Sequence, residues 1–491
     1  MFFIIAFPGF FFYISGKRIY LILKAVLLML TGLAILWRRC TDDRLPWTAL
    51  WVLASVFISR VYWLTAWGTL RAEQLACLAL FLHYLIDLLR KRQWPRFGVL
   101  PLLLLAMLPL MLLGSWLNSP FPAASLRKTL IYFPYLAGFA ALCHFLDDRE
   151  KLNAAWDFLT LFGTGMMAVS LAGYLLFFAG IDLGMVRIEF GVIWLRGSLA
   201  NPNIFGAAAG LVLISVLARF ITSNQFPGRR SFFDLGALVI ASAALVVSFS
   251  RAAWVLAMLA AAAVFLYARR ERKNWFPALS ALLLSVLIIS MIASSGSKAF
   301  NAKLELNPEI RPASAGEFGE PAQDRFVNAP YNALAPTAAP FQRRLHYDFS
   351  SLRWRFVTSW RALRDWQKNP VMGRGTDSLM LSHPGIPQYY LPVTWVAILH
   401  DWGIVALALY IAFLLLAGSH LGKRLFLPSA PSGLALAIFL VFFFQTLQSQ
   451  VTTTLSLASF WVLAAVFAAA AERLPGRPEK TGGPDDRPGW G

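Results

Sequence analysis

The stretch WLRGSLANPNIFGAAAGLVL, residues 194–213, ends in an apolar run long enough to enter a bilayer, yet it opens with an arginine. A charged side chain at membrane depth is costly unless it lies at an edge or has a partner. The surroundings of Arg196 therefore decide both the fold and what the residue is for. The whole chain has 491 residues, 58% hydrophobic and 14% charged, with a mean hydropathy of +0.60. These values lie outside the range of a soluble globular domain and indicate a polytopic membrane protein.

Apolar runs recur from end to end, separated by short charged punctuation. About fourteen such runs approach the length that crosses a hydrocarbon core, and about twelve to fourteen are expected to span. They fall near residues 1–15, 20–37, 46–64, 72–89, 98–116, 129–146, 153–180, 203–221, 234–249, 252–268, 276–294, 403–418, 432–449 and 454–472. With backbone groups satisfied inside each segment, the expected class is all-α. The first run contains Pro8 and Gly9 and is short; it reads as a spanning helix, an interfacial one or a mis-called start. It lacks the small-residue cleavage site of a signal peptide.

Cys40, Cys77 and Cys143 show no CxxC spacing, so neither a disulfide framework nor a thiolate metal site is indicated. The formal net charge of +19 raises the question of nucleic acid. In a membrane protein, basic cytoplasmic loops explain such an excess first, and no nucleic-acid partner is expected.

The clusters WRRCTDDR, RKRQWPR, DDREK, FPGRR, RRERK, GKR and ERLPGRPEK all land on one side if every run after the first spans. The positive-inside rule makes that side the cytoplasm. Both termini then lie inside, and the one long polar segment lies outside. The expected organisation is an N-terminal bundle at 1–294, a large outer loop at 295–390, C-terminal spanning helices at 391–475 and a disordered tail at 476–491. Within the loop, residues 297–340 have little periodicity. Ser350 then caps an expected helix in SSLRWRFVTSWRALRDWQKNP, with Leu352, Phe356, Trp360, Leu363 and Trp366 on one face. Arg353, Arg355, Arg361 and Arg364 lie around the other, so the helix either rests on the outer membrane surface or packs on the bundle.

With that orientation, the informative residues are the cations that break its rule. Outer loops should be poor in Lys and Arg, yet they hold Arg60, Arg71, Arg127, Lys128, Arg187, Arg196 and Arg251. One such residue is ordinarily a snorkelling anchor. Several together suggest an anion site. Arg251, in VVSFSRAAW, lies in a near-hairpin between apolar helices, with little loop into which to escape. Arg196 precedes Asn201, Pro202 and Asn203, where Asn201 suits an N-cap and Pro202 the first helical residue. Guanidinium forks and helix N-termini both favour phosphate oxygens.

These segments carry a resemblance. RGSLANPNIFGAAAGL resembles the Arg-x-x-Gly…Asn-Pro-Asn segment of the bacterial O-antigen ligase and O-antigen polymerase superfamily, and SFSRAAWVLAML resembles its Ser-Arg turn. RFVTSWRALRDWQKNPVMGRGTDSL is similar to the family's amphipathic helix ending in Pro-x-x-Gly-x-Gly, and ILHDWGIVALALY to its acidic-x-Gly start of the next helix. The likeness covers roughly residues 160–420.

The resemblance implies a multi-pass protein of the bacterial inner membrane with its active site facing the periplasm. It implies a glycosyltransferase that uses no metal and no cofactor. The donor would be a glycan on undecaprenyl pyrophosphate, and the acceptor lipid A-core or another glycan. Arg196 and Arg251 would contact the pyrophosphate, with Arg187 and Arg355 as further candidates. Asn201, Asn203 and Arg127 complete the expected substrate-binding set.

A general base must lie on the donor's side of the membrane. By topology His83, His144 and His420 fall at cytoplasmic ends, which leaves His346, His383 and His400. The family carries a His-Asn pair a short way before its acidic-x-Gly element; here that register reads YLPVTW, without a histidine. His383, in LSHPGIPQYY, is the substitute expected to serve, ahead of His400 with Asp401 and then His346. A loop histidine capping a turn is the alternative for His383. No Asp-x-Asp spacing lies on the outer side, which suits metal-independent transfer.

Two other functions fit parts of this pattern. A polymerase of the same superfamily would use the same donor and a carrier-linked acceptor. A transporter of an anionic or lipid-linked solute would also have many helices and intramembrane charge. Against transport, the halves show no internal repeat and the charges gather at one face.

Overall fold

A computed structural model describes residues 2–7, 10–15, 45–58, 62–65, 68–92, 97–181, 183–189, 192–199, 201–222, 229–267, 275–306, 355–382, 391–425, 433–450 and 457–474. The protein is an all-α membrane bundle, with three small β-hairpins among the described residues. Six helices among the described residues are long and apolar enough to cross a membrane, and four shorter apolar helices accompany them. The expected run at 20–37, the loop at 307–354 and the tail at 476–491 lie outside the described residues.

Two of the expected helical runs are corrected. Residues 1–15 form not a helix but a hairpin, β1 (Phe2–Phe7) and β2 (Phe10–Ser15), with Phe7 opposite Phe10. Pro8-Gly9 is a turn dipeptide, and the aromatic and β-branched residues either side favour strands. The run at 46–64 is helical only through α1 (Trp47–Ala54) and a 3-10 turn to Phe57. The chain then enters a second hairpin, β3 (Tyr62–Thr65) and β4 (Gly68–Arg71).

The remaining runs are helices close to their expected positions. They are α2 (Ala72–Lys91), α3 (Val99–Leu105), α4 (Met107–Leu113), α5 (Pro122–Phe145) and α6 (Arg149–Phe178). α4 runs on into a π turn, Gly114–Asn118. Asp148 caps α6 by accepting from the Lys151 N–H at 2.8 Å. The third hairpin, β5 (Val186–Glu189) and β6 (Val192–Leu195), bridges α6 to α7 (Pro202–Thr222). Then follow α8 (Arg229–Val247), α9 (Arg251–Tyr267) and α10 (Trp275–Leu306).

Beyond them lie α11 (355–366) and the short α12 (Ser378–Ser382). α13 (Thr394–Leu425), α14 (Gly433–Ser449) and α15 (Ala458–Arg473) complete the bundle.

α7 is the hub. It packs against α6, α8, α9 and α14, and 94% of its apolar window is buried by protein. A helix apolar on every side belongs inside a bundle, which is why GAAAGLVLISVL sits there. Its small residues let neighbours close in. A Cβ at Gly206 would come 2.7 Å from Ser250 Cβ, and one at Gly210 would strike the Phe444 ring.

Candidate functional site

Two polar centres emerge, and the candidate residues divide between them. The first surrounds the start of α7. Asn201 caps the helix as its sequence suggests, its Oδ1 accepting from the Ile204 N–H at 3.0 Å, and Pro202 is the first helical residue. Arg196 ends the β5–β6 hairpin, which is closed by its N–H donating to the Met185 carbonyl at 3.0 Å. A Cβ on the next residue, Gly197, would lie 2.7 Å from the Phe205 ring.

On the other side of the same helical turn comes the Ser248–Ser250 link. Ser248 Oγ and Ser250 Cβ both press on Gly206, and the Phe249 φ of 51° makes the bend. Arg251 begins α9 directly after it. Thus Gly197 touches Phe205 and Ser250 touches Gly206, so the two arginine-bearing turns flank consecutive residues of one helix. Asn203 is half-buried in that same first turn. Arg187 pairs with Trp194 across the hairpin; its side chain lies outside the described residues. Arg251, the first residue of α9, is exposed.

The second centre joins α11 to α13. α13 is broken at Gly403, whose φ of 84° and ψ of −179° only glycine adopts at low cost. The segment 370–377, carrying the Pro-x-x-Gly-x-Gly pattern, lies along this break. The Ile404 N–H donates to the Pro370 carbonyl at 2.9 Å, Arg374 N–H to the His400 carbonyl at 2.7 Å, and Gly375 N–H to the Asp401 carbonyl at 2.9 Å. Interrupting the helix frees those carbonyls and that N–H, and the loop takes them up.

His400, fully buried, stands between two carboxylates: Nδ1 is 2.7 Å from Asp401 Oδ1 and Nε2 is 3.3 Å from Asp365 Oδ2. Asp365 also pairs with Arg374 at 3.2 Å and Lys368 at 2.7 Å. The hydrogen bond from His400, followed by those of Lys368 and Arg374, holds the Asp365 carboxyl well below the usual carboxylate range. Asp365 therefore stays ionised, and His400 Nε2 carries the hydrogen between them.

Around Gly375 a buried hydroxyl cluster completes the seat. Thr376 Oγ1 is 2.7 Å from Thr129 Oγ1 and 3.2 Å from Ser115 Oγ, and it accepts from the Trp402 indole N–H at 3.1 Å. Lys128, near the N-terminal end of α5, pairs with Asp377 at 3.2 Å.

Arg127 is exposed on α5 beside Lys128, and Arg355 is half-buried in the first described turn of α11. Both therefore lie on elements of the second centre. His383 and His346 lie outside the described residues. His400 is engaged on both ring nitrogens. Asp365, Arg374, Thr376 and Asp377 were absent from the expected set. Their signal was available: Thr358, Ala362 and Asp365 recur at helical spacing opposite the aromatics, and the first two are buried.

Residues 236–411 match the family model described as O-antigen ligase. The match covers 176 of the 491 residues and supports a likeness of this segment to the O-antigen ligase and polymerase superfamily. The matched O-antigen ligase segment runs from within α8 to within α13 and so contains Arg251, α11, the 370–377 segment and the broken α13. Arg196 and the α7 start precede it. No curated protein matches the chain.

Proposed function

We propose that this protein is a glycosyltransferase of the bacterial inner membrane, of the O-antigen ligase superfamily. It moves a glycan from undecaprenyl pyrophosphate to an acceptor hydroxyl on the periplasmic side, with lipid A-core as the acceptor. Arg196 and Arg251 hold the pyrophosphate at the start of α7. The observation that carries this reading is the packing of both arginine-bearing turns on Phe205 and Gly206, consecutive residues of a capped helix N-terminus. That arrangement suits an anion with two phosphate groups, because helix N–H groups and guanidinium forks both favour phosphate oxygens.

In the reaction the acceptor oxygen bonds to the anomeric carbon as the bond from that carbon to the pyrophosphate oxygen breaks. His383 takes the acceptor proton, and undecaprenyl pyrophosphate leaves with its charge stabilised by the two arginines. Arg187, Asn203, Arg127 and Arg355 contribute to binding donor or acceptor. Asn201 acts by fixing the helix start.

The test is transfer in proteoliposomes with lipid-linked glycan and lipid A-core. Arg196→Ala and Arg251→Ala proteins that elute as folded should each lose transfer by about 10²–10³-fold, the cost of removing a charge-stabilising donor. Full activity in both would sink the assignment. Omitting lipid A-core separates the acceptors: growth of the carrier-linked glycan without it would make the protein a polymerase.

A further inference from the structure

α11 is bound to the bundle by one face and leaves its aromatic face uncovered. Thr358 and Ala362 are buried, and Asp365 reaches His400, so the positions i, i+4 and i+7 form the inward face. On the opposite face Phe356 is 71% exposed and Trp360 50% exposed. Exposed aromatics of this size on a helix already anchored elsewhere mark a surface that meets something apolar.

The neighbourhood identifies what covers it. The end of α11 is stitched to the break in α13 by the Pro370 carbonyl, which accepts from both the Trp366 indole at 3.0 Å and the Ile404 N–H at 2.9 Å. Val371, the next residue, is 57% exposed, and its carbonyl abuts Gly403. Directly beyond the break, Ile404 and Val405 are exposed on α13, a helix long and apolar enough to span a membrane. An exposed apolar surface therefore runs from that helix across Val371 toward α11.

Beside this face stand the cations. Arg361 and Arg364 are exposed, and the Arg364 guanidinium lies 5.4 Å from the centre of the Trp360 ring. Aromatic rings with guanidinium groups alongside suit the boundary between acyl chains and phosphate headgroups.

We infer that α11 is seated in the outer-leaflet interface of the membrane that the bundle crosses, with Phe356, Trp360 and Val371 among the upper acyl chains and Arg361 and Arg364 at lipid phosphates. The Asp365–His400 contact then fixes the depth of the second polar centre relative to the lipid surface. The inference rests on the membrane fold and stands whether or not the chain transfers glycans.

The experiment uses the full chain in nanodiscs containing phosphatidylglycerol, with Cys40→Ala so that only the buried Cys77 and Cys143 remain. Phe356→Cys and Arg361→Cys are each labelled with an environment-sensitive fluorophore, and the unsubstituted background serves as the labelling control. The label at position 356 should be quenched several-fold more by nitroxide in lipid acyl chains than by aqueous iodide, and the label at position 361 should show the reverse. Equal iodide quenching of both labels would overturn the proposal. So would a label at position 356 shielded from both quenchers, which would mean that protein, such as a second copy, covers the face. Trp360→Cys at the same face repeats the measurement if the first variant elutes as aggregate.

Discussion

Asp365 of α11 reaches His400 of α13 at 3.3 Å, and His400 passes the contact on to Asp401 at 2.7 Å. Residues on separate elements thus close the seam between α11 and the helical bundle. The Asp365 side chain is 12% exposed, with Arg374 at 15% beside it. Asp365→Asn leaves Arg374 and His400 without their shared acceptor charge. Breaking a buried ion pair costs about 3–5 kcal/mol, and thermal unfolding in detergent at neutral pH should register a loss of that order.

The pH dependence of that loss has a fixed sign. The folded Asp365 carboxyl titrates below its unfolded value, so its contribution is fully present above the ordinary aspartate range and disappears as pH falls through the folded value. Wild type and Asp365→Asn should therefore differ by a constant amount from about pH 5 to 7, and the gap should close only in strong acid, below the usual aspartate value of about 3.9. A gap that already closes near pH 6 would show that another group controls the seam.

Gly403→Ala tests the break in α13. A Cβ there would run into the Val371 carbonyl oxygen and would force a side chain into a positive φ. Strain of this kind costs about 1–3 kcal/mol before the clash is counted. The variant should lose the 370–377 contacts first, so protease cleavage near residue 375 should rise before the bundle melts.

The bundle was legible in the sequence because lipid imposes one rule on every segment: satisfy the backbone internally and face outward with apolar atoms. The runs from 72 onward became helices for that reason. The hairpin at Phe2–Ser15 is not legible from hydropathy, because its apolar content also suits a helix and only Pro8-Gly9 marks the turn. The α7 start was legible down to its cap, since Asn-Pro is a local signal. The Asp365–His400–Asp401 seam was not, because nothing in hydropathy pairs a carboxylate on one helix with an imidazole on another. Only the positions of Thr358, Ala362 and Asp365 opposite the aromatics hinted that α11 has an inward face.

Histidines separate catalysis from scaffolding. If His383 is the base, His383→Ala should abolish transfer while the melting temperature stays close to that of the unsubstituted protein, as expected of a residue whose role is chemical. His400→Ala should do the opposite in stability: it empties a fully buried position between two carboxylates, so a marked drop in melting temperature is expected. Intact transfer by His383→Ala would remove that residue from the mechanism.

The two arginines can also be tested without altering either one. Gly206 separates the Asn201-capped start of α7 from the Ser248–Ser250 link, and a Cβ there would lie 2.7 Å from Ser250 Cβ and 2.9 Å from Ser248 Oγ. Gly206→Ala must push that link, and Arg251 after it, away from the first turn of α7, whose Phe205 packs on Gly197 next to Arg196. The helix itself gains about 1 kcal/mol of propensity from the exchange, which partly offsets the strain, so the protein should still fold. If the arginines hold one diphosphate, donor KM should rise and transfer should fall with Arg196 and Arg251 both present. If they serve separate purposes, a displacement of a few tenths of an ångström should leave donor KM unchanged, and the shared anion site would be refuted.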